Sequence, residues 1–218
     1  MTIYLYSGTP GSGKSLHAAS DIRFALNRRH PRPVVGNFAI NTEVVRHPDM
    51  YSYVPNWEMR PDVLYQMAED WWAAHPDDFG EDRFLVVLDE VQLLLNARNW
   101  SNKDRLAWIQ LLSQHRKVGI KLVMVAQNAK MVDNQLRMLI EYDVIHRKLS
   151  TAGLPGWLMS LPFGGRLFVR VMYYYQLNER LSSEFYLARR KDMQLYDTHA
   201  HFERQEGVTG FAVPDPSM

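Results

Sequence analysis

Residues 8–15, near the amino terminus, have types and spacing that point to phosphate binding. They read G-x-x-x-x-G-K-[ST], with an apolar run before them and an amphipathic, helix-like run after them. Glycines let a backbone turn tightly and direct its N–H groups at phosphate oxygens, and the start of a helix adds a partial positive charge. The pattern predicts a nucleotide-binding segment made of Gly8, Thr9, Pro10, Gly11, Ser12, Gly13, Lys14, Ser15 and Leu16.

The expected chemistry depends on two residues of this loop and on an acidic pair elsewhere. Lys14 is predicted to reach the β- and γ-phosphates of ATP, and Ser15 is predicted to offer its hydroxyl to Mg²⁺. The apolar run from Phe84 to Leu88 is followed at once by Asp89 and Glu90. We predict that Asp89 serves the metal and that Glu90 polarises a water molecule for attack on the γ-phosphate. Hydrolysis of ATP is therefore the expected reaction.

Four further residues are candidates for supporting roles. Gln127 follows an apolar strand-like run, at the sheet edge where ligands of parallel sheets bind. It could hold the attacking water or sense the γ-phosphate, or it could simply cap the next helix. Arg98, Arg116 and Arg137 are candidates for a guanidinium that contacts phosphate across a subunit boundary, although each alone equally suits an ordinary surface position.

These residues require a scaffold, and the hydropathy pattern predicts one of the α/β class. Strand-like apolar runs alternate with runs of helical period, which indicates parallel βαβ units. The predicted strands lie near residues 3–5, 34–40, 84–88, 120–126 and 144–145, and one of the predicted helices covers 132–140.

The pattern changes after residue 150, where glycine and proline surround an apolar stretch and residues 166–176 alternate like an antiparallel strand. We predict a mainly parallel five-stranded sheet flanked by helices over residues 1–150. Residues 151–206 would add an antiparallel hairpin and helical extension to the same domain, and residues 207–218 would form a flexible tail.

Composition limits the remaining function classes. Lys and Arg number 25 against 24 Asp and Glu in 218 residues, so overall charge does not argue for nucleic acid or membrane binding. The chain has no cysteine, which excludes disulfides and thiolate chemistry and fits a reducing compartment. No apolar run approaches the ~20 residues that span a bilayer. We expect a cytoplasmic protein without a transmembrane segment in this chain.

The motifs taken together resemble a known family. Besides the phosphate loop, Asp89-Glu90-Val91-Gln92 follows one strand, residues 114–119 (QHRKVG) lead into another, and Gln127 closes it. This combination is similar to the Zot (zonular occludens toxin) domain, which is shared with the assembly ATPases of filamentous phages. The resemblance covers residues 1–149, with weaker similarity at Tyr196-Asp197-Thr198.

The resemblance implies a P-loop fold of the additional-strand type, related to FtsK/HerA-like motors, in which the strand before Gln127 lies between those bearing the phosphate loop and Asp89. It also implies ATP and Mg²⁺ as ligands, a homo-oligomeric ring, and a phage assembly complex at the inner membrane. Residues 154–163 could dock peripherally on such a complex or pack under the extension. The basic runs at residues 28–32 and 189–191 could contact DNA or remain solvated.

Three functions stay open on these grounds. The leading one is an ATP-hydrolysing motor of the Zot type for virion assembly or for translocation of DNA or protein. The second is a nucleotide-gated interaction scaffold with weak turnover. The third is a small-molecule or nucleotide kinase, which would need an arginine-rich lid, whereas residues 56–79 are rich in tryptophan and acidic residues instead.

Overall fold

The computed structural model describes residues 2–95 and 102–196. The predicted tail, the end of the predicted extension from residue 197 and the candidate Arg98 lie outside the described residues. Within the described residues one sheet has eight strands, β1 (Ile3–Ser7), β2 (Val34–Gly36), β3 (Tyr51–Tyr53), β4 (Phe84–Leu88), β5 (Ile120–Val125), β6 (Tyr142–Lys148), β7 (Leu167–Tyr174) and β8 (Glu179–Leu187). The α-helices there are α1 (Lys14–Leu26), α2 (Pro61–Ala74), α3 (Val91–Leu94), α4 (Asn102–Gln114), α5 (Asn134–Arg137), α6 (Gly153–Ser160) and α7 (Arg190–Leu195).

The strand order of the sheet is β3-β2-β4-β5-β1-β6-β7-β8. Strands β1 to β6 pair in parallel, whereas β6, β7 and β8 pair antiparallel. Strand β5 lies between β4 and β1, as the additional-strand arrangement requires. Because parallel strands share one carboxyl edge, the segments that follow β1, β2, β4 and β5 meet there. The predicted α/β class with a mainly parallel sheet is confirmed.

Helices cover both faces of the parallel part of the sheet. One face packs against α2 and α4 through apolar residues that include Leu64 and Leu111. The other face packs against α1, where Ala18 and Ile22 are almost fully buried, and against α7 through Leu195. Successive residues of β4 point alternately into the two layers, and all five of them are buried. This explains why the sequence of that strand is continuously apolar.

The structure differs from the sequence-based prediction at three places. Strand β3 was not predicted, because it is only three residues long and contains a serine between two tyrosines. Strand β2 ends at Gly36 rather than at residue 40. The side chain of Asn37 bonds to the backbone of Asp89, which follows the neighbouring strand β4, and these bonds replace the backbone ladder. The helix predicted over residues 132–140 is reduced to α5, and the hairpin β7–β8 extends the sheet itself.

Candidate nucleotide site

The phosphate loop runs from the end of β1 to the start of α1 and depends on backbone shapes that favour glycine. Gly13, the residue before α1, has φ +95°, in the left-handed region. A Cβ atom at this position would lie 2.7 Å from Cδ1 of Phe168 in β7. A Cβ atom on Gly8 would lie 2.5 Å from the carbonyl oxygen of His146 in β6. The loop is therefore held closely between α1 and the β6–β7 part of the sheet.

Two polar side chains of the loop face its interior. The Nζ atom of Lys14 donates to the carbonyl oxygen of Thr9 at 3.1 Å. Burial lowers the pKa of Lys14, while the nearby carboxylates of Glu90 and Asp89 act in the opposite direction. The Oγ atom of Ser12 is buried and has no hydrogen-bond partner among the residues that the structure describes. An orphaned hydroxyl in this cradle fits a bound phosphate oxygen.

The acidic pair follows β4 and faces the loop. Asp89 is 3% exposed, and its Oδ1 atom accepts the backbone N–H of Glu90 at 2.9 Å. Glu90 has φ +47°, in the left-handed region that non-glycine residues rarely adopt, at the point where the chain leaves β4 and enters α3. Asp89 and Ser15 share one hydrogen-bond partner, the hydroxyl of Tyr196, so the structure brings the acidic pair and the end of the loop together. Their roles toward metal and water remain predictions.

Asn37, which follows β2, fixes the backbone of Asp89. Its Oδ1 atom accepts the Asp89 N–H and its Nδ2 atom donates to the Asp89 carbonyl oxygen, both at 2.7 Å. The sequence analysis did not assign Asn37 to the site. The signal that could have found it is a polar residue placed directly after a short apolar strand, as Asp89 and Gln127 are placed.

Gln92 and Tyr196 are two more residues that the motif-based reasoning did not assign to the site. The Nε2 atom of Gln92 donates to Oε2 of Glu90, and its buried Oε1 atom has no hydrogen-bond partner among the described residues. The hydroxyl of Tyr196, the residue after α7, donates to Oδ2 of Asp89 at 2.8 Å. Burial and the Asp89 carboxylate raise the pKa of Tyr196, and a hydrogen bond with Ser15 opposes them.

The remaining candidates lie at different distances from this centre. Gln127 is exposed and lies just beyond the end of β5, between the acidic pair and the loop in strand order. Arg116 lies before β5, at the opposite edge of the sheet, where its Nη2 atom pairs with Glu141 at 2.8 Å. Arg137 ends α5 and donates to Oδ1 of Asn134 at 2.6 Å. The structure therefore does not bring Arg116 to the phosphate loop of its own subunit.

A buried histidine pair lies beneath the loop. Nδ1 of His17 in α1 is 2.8 Å from Nε2 of His146 in β6, and the His17 ring stacks on Tyr6 at 4.4 Å between centroids. Arg170 in β7 contacts the other ring nitrogen of His17. Burial lowers the pKa of both histidines to about 3, so the rings are neutral near pH 7. The two histidines pack against each other next to the phosphate loop. Among the described residues no group of side chains suited to hold a metal ion is found, and the histidine pair belongs to none.

The donor set at the loop fits a nucleotide with a divalent cation. Ser15 and Asp89 would supply oxygen ligands to Mg²⁺, which commonly takes few protein ligands because nucleotide phosphates and water supply the rest. The Lys14 ammonium bonds to the carbonyl oxygen of Thr9 within the same loop that holds the orphaned Ser12 hydroxyl, so a cation and a free donor are available to phosphate there.

The comparison with known families identifies the chain. Residues 2–162 match the model of the family described as Zonular occludens toxin (Zot). The chain belongs to the Zot family. The resemblance seen in the sequence motifs is thereby confirmed, and the match reaches beyond residue 149 into the segment that includes α6.

Phage proteins are among the relatives of this Zot chain. The gene 1 protein of Enterobacteria phage I2-2 is 31% identical to it over 184 residues, which cover 77% of this chain and 46% of that protein. The gene 1 protein of Enterobacteria phage M13 is 31% identical over 182 residues, covering 77% of this chain and 49% of that protein. The chain thus spans about half the length of these relatives.

Solved structures share the Zot fold. The N-terminal domain of zonular occludens toxin from Neisseria meningitidis superposes with a TM-score of 0.55 at 22% identity, covering 90% of this chain and 98% of that one. The genome packaging NTPase B204 from Sulfolobus turreted icosahedral virus 2, in complex with ATP-gammaS, superposes with a TM-score of 0.51 at 14% identity. This match covers 85% of this chain and 96% of that one. At these identities the likeness shows a common fold. Among residues 2–95 and 102–196, no helix is both long and apolar enough to cross a membrane.

Proposed function

We propose that this Zot chain is an ATP-hydrolysing motor that drives phage assembly or the translocation of DNA or protein. The observation that carries the proposal is that the acidic pair at the end of β4 meets the phosphate loop, since the Tyr196 hydroxyl bonds to both Asp89 and Ser15. This is the arrangement in which a triphosphate is held on one side and a water molecule is prepared on the other.

Each residue of the site has a proposed task. The loop N–H groups and Lys14 bind the phosphate oxygens of ATP, and the Ser12 hydroxyl gains an acceptor there. Glu90 takes a proton from the attacking water, and Gln92 orients its carboxylate by the hydrogen bond to Oε2. Ser15 and Asp89 are placed to hold Mg²⁺, which when bound neutralises the negative charge that develops on the phosphates. Gln127, exposed at the same sheet edge, contacts the γ-phosphate or the water.

We further propose that the motor works as a ring, in which an arginine of one subunit completes the site of the next. Arg116 and Arg137 remain the candidates. Arg116 lies at the sheet edge away from its own phosphate loop, and it would therefore act only across a subunit boundary. For this contact Glu141 would have to release the Arg116 guanidinium, or both side chains would have to contact the neighbouring subunit together.

The proposed partners are a phage assembly complex at the inner membrane, bound from the cytoplasmic side, and DNA. Helix α6 and the turn after it present apolar side chains to solvent, with Leu154 70% and Leu158 53% exposed, so this stretch does not pack under the extension. Such a surface suits a protein partner. Arg28 and Arg189, from the two basic runs, line one cavity of about 450 Å³ together with Arg23 and Arg170. Because Arg23 and Arg170 are paired with acidic residues, Arg28 and Arg189 are the arginines proposed to contact phosphate groups of DNA.

Nucleotide binding and steady-state hydrolysis test the proposal directly. Wild-type protein is expected to bind ATP and hydrolyse it, whereas Lys14→Ala should lose tight binding and turnover. Lys117→Ala, which removes an exposed lysine beyond the opposite edge of the sheet, is the matched control and should behave as wild type. Equal ATP affinity in Lys14→Ala and wild type would refute the site. Stimulation by DNA that falls steeply between 50 and 200 mM salt, as expected for roughly 6–10 phosphate contacts, would identify DNA as the object moved.

A further inference from the structure

The hydroxyl of Tyr196 lies between the two side chains assigned to the metal. It donates to Oδ2 of Asp89 at 2.8 Å and also forms a hydrogen bond with Ser15. We propose that Tyr196 is a positioning residue that holds Ser15 and Asp89 in the arrangement that binding of nucleotide with Mg²⁺ requires. This inference rests on the proposed nucleotide site, and it extends that site to a residue from the far end of the described chain.

The directions of the hydrogen bonds explain what the tyrosine contributes. A phenol carries one hydrogen, and an ionised carboxylate can only accept, so that hydrogen belongs to the bond with Asp89. The bond between Tyr196 and Ser15 therefore takes the hydrogen of the Ser15 hydroxyl. Both lone pairs of Ser15 Oγ are then left for a cation rather than being turned toward other donors. Tyr196 thus presents Ser15 to the cation as an acceptor.

The same hydroxyl fixes the carboxylate of Asp89. Oδ1 of Asp89 accepts the N–H of Glu90 at 2.9 Å, and Oδ2 accepts from Tyr196. With one donor on each oxygen, the plane of the carboxylate is set, and each oxygen retains acceptor capacity for a water molecule or a cation. The backbone of Asp89 is fixed separately by Asn37. Tyr196 is therefore the group that controls the side-chain torsion at this position.

Buried contacts of the preceding residues hold the backbone of Tyr196 in place. Leu195 is fully buried, and its carbonyl oxygen accepts the N–H of Asn41 at 3.0 Å. Asp192, also fully buried, contacts Nε of Arg23 and accepts the Tyr186 hydroxyl at 2.8 Å. Helix α7 is thus attached to α1 and β8. A positioning group must stand on a rigid element to be effective.

The test compares the affinity of ATP-γS measured with excess Mg²⁺ and with EDTA, in wild type and in Tyr196→Phe. We expect Tyr196→Phe to lose roughly ten-fold or more in the Mg²⁺ condition, as second-shell changes typically do, with unchanged affinity in EDTA. The matched control is Tyr186→Phe, which removes the other hydroxyl that anchors α7 but does not touch the metal side. It should keep the wild-type ratio of the two affinities.

A purely structural role would lower both affinities of Tyr196→Phe together, and that result would overturn the proposal. An unchanged ratio would overturn it as well, and so would tighter binding with Mg²⁺, since the hydroxyl would then be a competitor of the ion. In a Ser15→Ala background the same change should cost less than in wild type, because only the hold on Asp89 remains, and an undiminished loss there would argue against action through Ser15. If wild type itself binds no nucleotide, the proposed function fails first, and the two failures are thus distinguishable.

Discussion

Asn37 pairs with both backbone groups of Asp89, accepting the N–H and donating to the carbonyl oxygen at 2.7 Å each. One side-chain amide thus replaces two ladder hydrogen bonds at the point where β2 ends and the acidic pair begins. The register continues that of the strands, because Gly36 lies opposite Val87. The amide lets the chain leave the sheet after β2 without freeing the backbone that carries Asp89.

Replacing Asn37 by alanine should therefore destabilise the fold. Each buried backbone group left without a partner costs about 1–3 kcal/mol, and the variant would leave two. We expect a lower midpoint in urea unfolding together with weaker nucleotide binding, because Asp89 is no longer fixed. Asn56→Ala is the matched control, since exposed Asn56 bonds only to the outer hydrogen of the Asn37 amide. Equal midpoints for the two variants would contradict this account.

Substituting two loop glycines should separate backbone strain from steric collision. A non-glycine residue in the left-handed region costs roughly 1–2 kcal/mol. Gly11→Ala, at φ +73° with open space around the new Cβ, should lose only about that much in urea unfolding. Gly13→Ala should lose more, because its Cβ would lie 2.7 Å from the ring of Phe168. In a Phe168→Ala background the loss from Gly13→Ala should shrink to about that of the backbone strain alone. Equal destabilisation by the two glycine changes in the wild-type background would contradict the collision.

Glu90→Gln should separate nucleotide binding from turnover. The amide keeps the size of the side chain but cannot accept the proton of the attacking water, so kcat should fall by about 10²-fold or more. ATP affinity should stay within about two-fold of wild type, as measured by equilibrium titration. Exposed Glu69→Gln in α2 is the control for loss of one negative charge. Retained kcat in Glu90→Gln would contradict the role of Glu90 as the base that takes the proton of the water.

The histidine pair predicts a loss of stability in acid. The pKa of His17 and that of His146 are lowered from 6.5 to about 3, so the unfolded chain binds more protons between these values. Their contribution to stability is complete above pH 6.5 and falls as the pH drops toward 3. Urea unfolding from pH 8 to 4 should show this decline, and His146→Gln should flatten it. Asp21, whose pKa is raised by burial, gives the opposite trend and is unchanged in that variant.

The ring predicts complementation between two inactive variants. If an arginine acts across a subunit boundary, Lys14→Ala and an inactive Arg116→Ala or Arg137→Ala protein should regain ATPase activity on mixing, because mixed rings contain intact sites. Specific activity of wild type should also rise with protein concentration. The control is a mixture of Lys14→Ala with Glu90→Gln, both of which act within one subunit. A rate independent of concentration, with no rescue, would contradict the ring.

Those parts of the site that are encoded in short contiguous motifs could be predicted from the sequence, and those that depend on distant segments could not. The phosphate loop and the acidic pair were predicted because each is a contiguous motif attached to one apolar strand, and the fold brought Lys14 and Glu90 together. Asn37 and Tyr196 could not be assigned by chemistry, because their roles depend on pairing between segments 52 and 107 residues apart. The end of β2 was misplaced for the same reason, since the long-range bonds of Asn37 decide where that strand ends. Strand β3 was missed because it has only three residues and no continuous apolar run.

The origin of Tyr196 near the far end of the described chain has a consequence for how the protein matures. The ribosome makes the phosphate loop before seven of the eight strands that the structure describes, yet the tyrosine leaves the exit tunnel only after all eight have been synthesised. Nascent chains that stop short of α7 would carry the loop and both acids without the hydroxyl that joins Ser15 to Asp89. The cation side of the cleft would then become competent only after α7 and Tyr196 have left the tunnel.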